Sequence, residues 1–179
     1  MILCSIFGCT EISFKEAQPK GKKALAQIPE ELRGRYILES DGDSPSRDTI
    51  IVESNGFRFG YFDPEEREKN KNEGLYYNGL GDSLVLKKYK QYYFLNFNES
   101  PEWILRMIKR ESNGDLTYMT LEQPGLEFKN YMKKLGAVID IDSVKVNNEM
   151  LYQINPSGAE LIKLMKKGYM SKTLLRKVN

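Results

Sequence analysis

The chain has 179 residues, enough for one domain with a real core, and its 40% apolar and 29% charged content is that of a globular protein. A net charge of only +2 gives no broad field to draw in nucleic acid, so none is expected as a partner. There is no histidine, and the cysteines are Cys4 and Cys9 alone; this removes Ser-His-Asp and Cys-His catalysis in their usual form and ordinary zinc sites, and no cofactor is expected.

The chain opens as MILCSIFGC, an uncharged apolar run ending in Gly8-Cys9, with the first charge at Glu11. Ile2 to Phe7 is long enough for a short buried strand. The stretch after it, TEISFKEAQPKGKKALAQ, mixes Lys, Glu, Gln, Pro and Gly without sustained periodicity and reads as a tether. Ile6-Phe7-Gly8-Cys9 resembles the lipobox of bacterial lipoproteins, in which an apolar, a variable and a small residue precede a cysteine that is acylated and becomes the mature N-terminus. Phe7 is bulkier than the residue usual at its place, and no positively charged stretch precedes the run; a start upstream of Met1 would supply one. The resemblance implies a signal-peptide remnant over 1–8 and lipidation of the tether over 9–26; 27–179 reads as a single β-rich domain. It also implies that a multiply acylated Cys9 anchors the chain in the lipid bilayer without spanning it. Thr10, in place of the Asp that marks inner-membrane retention, points to the outer membrane, on its periplasmic or surface face.

The body opens at IPEELRGRYILES. Pro29 pre-sets a first helical turn, Glu30 and Glu31 suit its positive end, Gly34 ends it, and Tyr36 to Glu39 follows as a strand. DTIIVESNGFRFGYF predicts a hairpin, with strands over Asp48 to Ser54 and Phe57 to Phe62 around Asn55-Gly56, two residues that tolerate the positive φ of a type I′ turn. DPEEREKNKNEG is a charged surface loop. Two strand pairs follow: SLVLKKY with QYYFLNF, and EWILRMIKR with LTYMTLE around Ser112-Asn113-Gly114-Asp115. Ile104, Arg106 and Ile108 share one face of their strand, and Trp103, Leu105 and Met107 the other; with both faces partly apolar, the strands are expected to be sandwiched or curled. The period changes in PGLEFKNYMKKLG, where Phe128, Met132 and Leu135 fall at helical spacing and Gly136 is placed to end the helix in the left-handed conformation. AVIDID, SVKV and MLYQI are strand-like. NPSGAELIKLMKKG predicts a second helix, with Ser157 and Glu160 at capping-box spacing and Gly168 as its stop, and SKTLLRKV closes the chain as a strand.

Short antiparallel strands need their edges closed or covered, and curling into a barrel achieves this. The fold expected is mainly β with two to three short helices: an antiparallel meander forming a lipocalin-like or incomplete β-barrel, the alternative being a β-sandwich with packed helices. Leu32-Arg33-Gly34-Arg35-Tyr36, after a short helix and opening the first strand, resembles the Gly-x-Trp signature of lipocalin-type barrels with Tyr36 in the Trp place. A late helix followed by one last strand, Ser157 to Lys167 and Ser171 to Val178, is also similar. The resemblance implies an arginine packed over that aromatic, for which Arg176 is the match. The helix near Phe128 and the strands after it have no counterpart in that plan.

The aromatic density of YYNGLGDSLVLKKYKQYYFLNF suits a lined pocket as well as a core. Alternation points either Tyr77, Leu84, Tyr92 and Phe94 or their neighbours inward. Tyr36, Tyr77, Tyr92, Phe94 and Arg176 are the candidate ligand-binding residues and Cys9 is the lipidation site. Asp140 and Asp142, on one strand face, are the pair a glycosidase-type carboxylate site would use. Asp41-Gly42-Asp43 lacks the remaining ligands of a calcium loop and reads as a turn. These features point to a non-enzymatic envelope lipoprotein whose β-rich domain binds a small apolar ligand or another envelope protein. The alternatives are a carboxylate-dependent hydrolase of envelope polymers and a structural subunit of an outer-membrane assembly.

Overall fold

Twelve strands, a turn of 3-10 helix and two α-helices occupy the residues that the computed structural model describes, 12–38, 48–61, 77–121, 127–146 and 149–178. The lipobox-like Ile6-Phe7-Gly8-Cys9, the Asp41-Gly42-Asp43 turn and the charged loop from Asp63 lie outside the described residues. In chain order the elements are β1 (Ile12–Phe14), the 3-10 turn (Glu30–Leu32), β2 (Gly34–Leu38), β3 (Asp48–Val52), β4 (Gly56–Tyr61), β5 (Tyr77–Gly79), β6 (Leu84–Tyr89) and β7 (Tyr92–Glu99). There follow β8 (Glu102–Arg110), β9 (Leu116–Leu121), α1 (Phe128–Gly136), β10 (Asp142–Val146), β11 (Glu149–Ile154), α2 (Gly158–Lys166) and β12 (Met170–Val178).

All twelve strands join one mixed sheet. Its main path runs β5-β4-β3-β2-β12-β9-β8-β7-β6, antiparallel throughout, so the last strand sits between β2 and β9. A branch, β1-β11-β10, leaves from β8: the C-terminal half of β8 pairs with β9, while Trp103 pairs with Phe14 of β1. β1 and β11 run parallel, from Ile12 opposite Tyr152 to Phe14 opposite Ile154. Among the described residues no ladder joins β5 to β6, so the sheet is not closed. Over the described residues the chain is therefore mainly β with two α-helices, and its sheet forms no closed barrel.

Strand residues alternate between faces, and here both faces are covered. On one face Tyr92, Phe94, Leu105, Met107 and Met119 pack under Tyr131 and Leu135 of α1 and Leu161 and Leu164 of α2. On the other, Tyr93, Leu95, Leu86, Leu116 and Leu175 gather around Leu32 and Tyr36. β7 is thus apolar on both sides, which is why its sequence shows no alternation.

The Ser157 hydroxyl accepts from the Glu160 N–H at 3.3 Å while the Glu160 carboxylate accepts from the Ser157 N–H at 2.7 Å, starting α2 with a capping box. Those bonds hold the Glu160 carboxyl below its ordinary pKa. Gly168, with φ of 81°, stops the chain just beyond the helix. α1 ends differently from expectation: the residue after Gly136, Ala137, caps it in a right-handed conformation, and the strand anticipated from Ala137 begins only at Asp142.

Two further expectations change. The stretch read as a tether is, from Ile12 onward, part of the folded body: Ile12 and Phe14 are 6% and 2% exposed, and Ser13 and Gln18 are fully buried. Asn96 bonds the main chain of Gln18, the Lys87 ammonium donates to the Ala17 carbonyl at 2.6 Å, and the Leu25 N–H donates to the Leu86 carbonyl at 2.7 Å. Burial pulls the Lys87 pKa down, with Glu16 opposing. The second change is the β3–β4 hairpin, where the Glu53 N–H donates to the Gly56 carbonyl at 2.8 Å and the turn centres on Ser54-Asn55. Neither Asn55 nor Gly56 has positive φ. Glycine at 56 meets another need: a Cβ there would lie 2.2 Å from the Asn78 carbonyl oxygen, so β5 reaches β4 only across a residue without a side chain.

Candidate functional site: an apolar cavity on the inner face

Nine strands, β2 to β9 and β12, contribute side chains to one cavity of about 490 Å³. The spacing of its wall shows how the strands build it: Ile50 and Val52, Phe57 and Phe59, Leu95 and Phe97, Leu116 and Tyr118, and Thr173 and Leu175 are each two residues apart, on the same side of their strand. Phe57 and Phe97 meet edge to face at 6.4 Å between ring centroids, although β4 and β7 are not neighbours in the sheet. The sheet therefore curls its inner face around the cavity. Leu38 and Phe59, both in the wall, remain 39% and 46% exposed and form an apolar mouth.

Ile28 and Leu32 stop the other end, beside the start of β2, and several bonds hold them there. The Ile28 N–H donates to the Ser54 carbonyl at 2.7 Å, the Arg33 Nε to the Ile28 carbonyl at 2.8 Å, and the Arg110 Nε to the Glu31 carbonyl at 3.1 Å. The Tyr93 hydroxyl donates to the Glu31 carboxylate and accepts from the Lys88 ammonium at 2.7 Å. The Tyr93 bond lowers the Glu31 pKa and raises that of Lys88; burial first, then the Glu31 bond, raises that of Tyr93.

Among the described residues the wall is apolar except for Asn78, Tyr118 and Thr173, and none of those residues is a carboxylate. Tyr118 stands opposite Thr173 across the β9–β12 ladder and opposite Ile108 across β8–β9. The half-buried Arg106, two residues before Ile108 on the same side of β8, donates to the Leu105 carbonyl at 3.2 Å. Burial raises the Tyr118 pKa, and the guanidinium opposes that rise. Among the described residues there is no group of three or more His, Cys, Asp or Glu that would hold a metal ion, and no helix is long and apolar enough to cross a membrane.

Tyr36 has the inner-face parity of Leu38 but lies at the stopped end, fully buried, its hydroxyl donating to the Leu32 carbonyl at 2.9 Å. Burial raises its pKa. The cation over its ring is Lys177, whose ammonium is 6.0 Å from the ring centroid, and not Arg176. The register explains this: Lys177 is opposite Tyr36, while Arg176 is opposite Ile37 and so points to the outer face. Tyr92 and Phe94 face the helix-covered core. Tyr77 is 49% exposed, with its ring against Gly56 and Gly79. The expected set mixes the two faces: Leu84 gathers with Leu86 on the cavity side, opposite Phe97, whereas from β5 and β7 the cavity takes the neighbours, Asn78, Leu95 and Phe97. Asp142 lies on β10, its carboxylate 2.5 Å from the Lys15 ammonium; neither it nor Asp140 is in the wall. Cys9 is outside the described residues. The apolar pairs of β3 and β4, absent from the expected set, were visible as i, i+2 repeats without a sign of which side is concave.

No family model, curated protein or solved structure matches the chain. What the cavity does must come from its own geometry and chemistry.

Proposed function

We propose that this chain is a non-enzymatic, lipid-anchored envelope protein whose β domain, an open lipocalin-like barrel, takes up a small apolar molecule. The observation that carries the uptake is the 490 Å³ apolar cavity with an exposed mouth at Leu38 and Phe59. Such a volume lies within the range of small-molecule pockets, roughly 300–1,000 Å³. Support for the lipocalin likeness comes from strand order: the strand after α2 returns between β2 and β9, and a short 3-10 turn stops the end where Gly34-Arg35-Tyr36 begins. A cation over Tyr36 fits it too, with Lys177 in the role. None of the described wall residues is a carboxylate, so they lend the hydrolase alternative no support at this site.

The anchor rests on Ile6-Phe7-Gly8-Cys9 alone. Since β1 begins at Ile12, only Thr10 and Glu11 separate Cys9 from the folded body, and an acylated chain holds that body directly against the bilayer. Two measurements test the proposal. Intact-mass analysis of protein expressed with its native upstream region is expected to give a diacylglyceryl chain beginning at Cys9; an unprocessed soluble product overturns the anchor. Titration of the full chain with the neutral fluorophore N-phenyl-1-naphthylamine is expected to show saturable, one-to-one uptake; no uptake overturns the cavity's role.

A further inference from the structure

The two helices that cover the core carry their charge unevenly. Tyr131 and Leu135 of α1 and Leu161 and Leu164 of α2 turn onto the sheet, and Lys129, Lys133 and Lys134 of α1, with Lys163, Lys166 and Lys167 at the end of α2, are left exposed. Over 127–136 and 157–168 these six lysines stand against two acids, so the stretches are net positive by four while the whole chain is positive by only two. Both acids lie at the helix starts: Glu127 caps α1, and the Glu160 carboxylate is bonded to the Ser157 N–H.

The opposite ends of the helices meet. The Tyr169 N–H donates to the Leu164 carbonyl at 3.1 Å, its hydroxyl donates to the Lys134 carbonyl at 3.1 Å, and its ring lies 5.8 Å from that of Tyr131. Lys133, Lys134, Lys166 and Lys167 therefore share one end of the helical layer, and among the described residues no carboxylate is within ion-pair distance of these four. The carbonyl ends of helices favour cations, which accounts for lysine at these places but not for the lack of acids around them.

We propose that the lysine face of α1 and α2 lies against the anionic surface of a phospholipid bilayer. Ammonium groups are hydrated point charges without the planar fork with which arginine reads single phosphates, and these helices contain no arginine. The face thus suits a diffuse sheet of charge rather than a nucleic acid or a phosphopeptide. Beside the lysines, the half-buried Phe128, Met132, Ile162 and Met165 bring apolar surface to the level of the lysine stems, a combination that suits the boundary between head groups and acyl chains. Since the helices cover one face of the sheet and the cavity occupies the other, docking this way turns the cavity away from the lipid. It goes beyond the anchor at Cys9 and does not require it; together, acyl chain and basic patch are the two signals that hold a protein stably on a membrane.

The test sediments the full chain carrying Cys9→Ser, which lacks the Cys9 acylation site, with vesicles of phosphatidylcholine alone or with about one-third phosphatidylglycerol. The anionic vesicles are expected to bind it at least about a hundredfold more tightly, the scale of several lysines at about fivefold each, and high salt is expected to erase the difference. Lys133→Gln with Lys134→Gln, and separately Lys166→Gln with Lys167→Gln, are each expected to reduce that advantage by about tenfold or more. Arg35→Gln with Arg58→Gln removes the same charge from β2 and β4, strands with no described residue in the helix-covered core, and is expected to reduce it by less than about threefold. Trp103 fluorescence reports that each variant has folded, and either lysine pair suffices for the comparison. Equal binding to both kinds of vesicle overturns the docking face, as do equal losses from the lysine and arginine pairs. Polyuridylate bound as tightly as the anionic vesicles overturns the bilayer as its occupant. The anchor is decided separately, by the mass of the native product.

Discussion

Asn96 holds Gln18 by its main chain from both sides: its Oδ1 accepts from the Gln18 N–H at 2.7 Å and its Nδ2 donates to the Gln18 carbonyl at 2.8 Å. Both residues are fully buried, so water cannot stand in for either partner. Truncation in Asn96→Ala strands two main-chain groups at once. A made bond contributes only about 1 kcal/mol net, whereas each stranded group costs about 1–3 kcal/mol, so for two groups a loss of about 2–6 kcal/mol is expected. Urea unfolding followed by fluorescence of Trp103, the only tryptophan and the β8 partner of Phe14, reads it. A midpoint within error of wild type would remove the clamp from the account.

Glu31 and Tyr93 give stability a pH dependence at both extremes. The Glu31 pKa is lowered in the fold, so its contribution is present above its ordinary value of 4.5 and is lost as pH falls through the folded value. The Tyr93 pKa is raised, so its contribution is present below its ordinary value of 10.0 and is lost as pH rises through the folded value. Tyr93→Phe removes the bond behind both, and its destabilisation relative to wild type is expected to shrink as pH falls below 4.5 and as it rises above 10.0. Chemical denaturation at pH 3.5, 7 and 11 checks the sign; a difference constant across all three contradicts it.

Gly56→Ala should cost about 2–4 kcal/mol, because the new Cβ meets a main-chain oxygen, Asn78 O, at 2.2 Å, and relief requires β5 to move away from β4. Gly79→Ala is the control. Its nearest contact is the exposed Tyr77 ring at 3.1 Å, which can swing aside, so a cost below about 1 kcal/mol is expected. Equal midpoints for the two variants would show that close approach is not why glycine stands at 56.

Ile108→Trp places an indole in the middle of the cavity wall, where there is room for it. Stability is expected to change by less than about 1.5 kcal/mol, while affinity for N-phenyl-1-naphthylamine falls by about tenfold or more. Unchanged dye affinity in a folded variant would put the dye elsewhere.

Much of the architecture was legible in the residues. The β6–β7 and β8–β9 pairs show as β-rich runs flanked by turn residues, and α2 shows in its cap, its apolar face and its glycine stop. Three features were not legible, for different reasons. β1 is three residues long and embedded among Lys, Glu and Pro, too short for a period to register, and what holds it is partners far along the chain. The lining of the cavity was ambiguous because β7 is apolar on both faces; a period of two separates sides but does not say which one is concave. Arg176 and Lys177 are adjacent cations, and only the pairing of Lys177 with Tyr36 decides which of them lies over the ring. Asn55-Gly56 reads as a turn dipeptide, but the glycine serves the approach of a third strand that local sequence does not announce.

The parallel pairing of β1 with β11 brings together Ile12 and Tyr152, from opposite ends of the described residues, and so distant a contact is slow to form. Until β11 docks, Phe14 has no Ile154 beside it and that edge of β1 stays open, so β1 is expected to be among the last strands of the sheet to gain protection from hydrogen exchange.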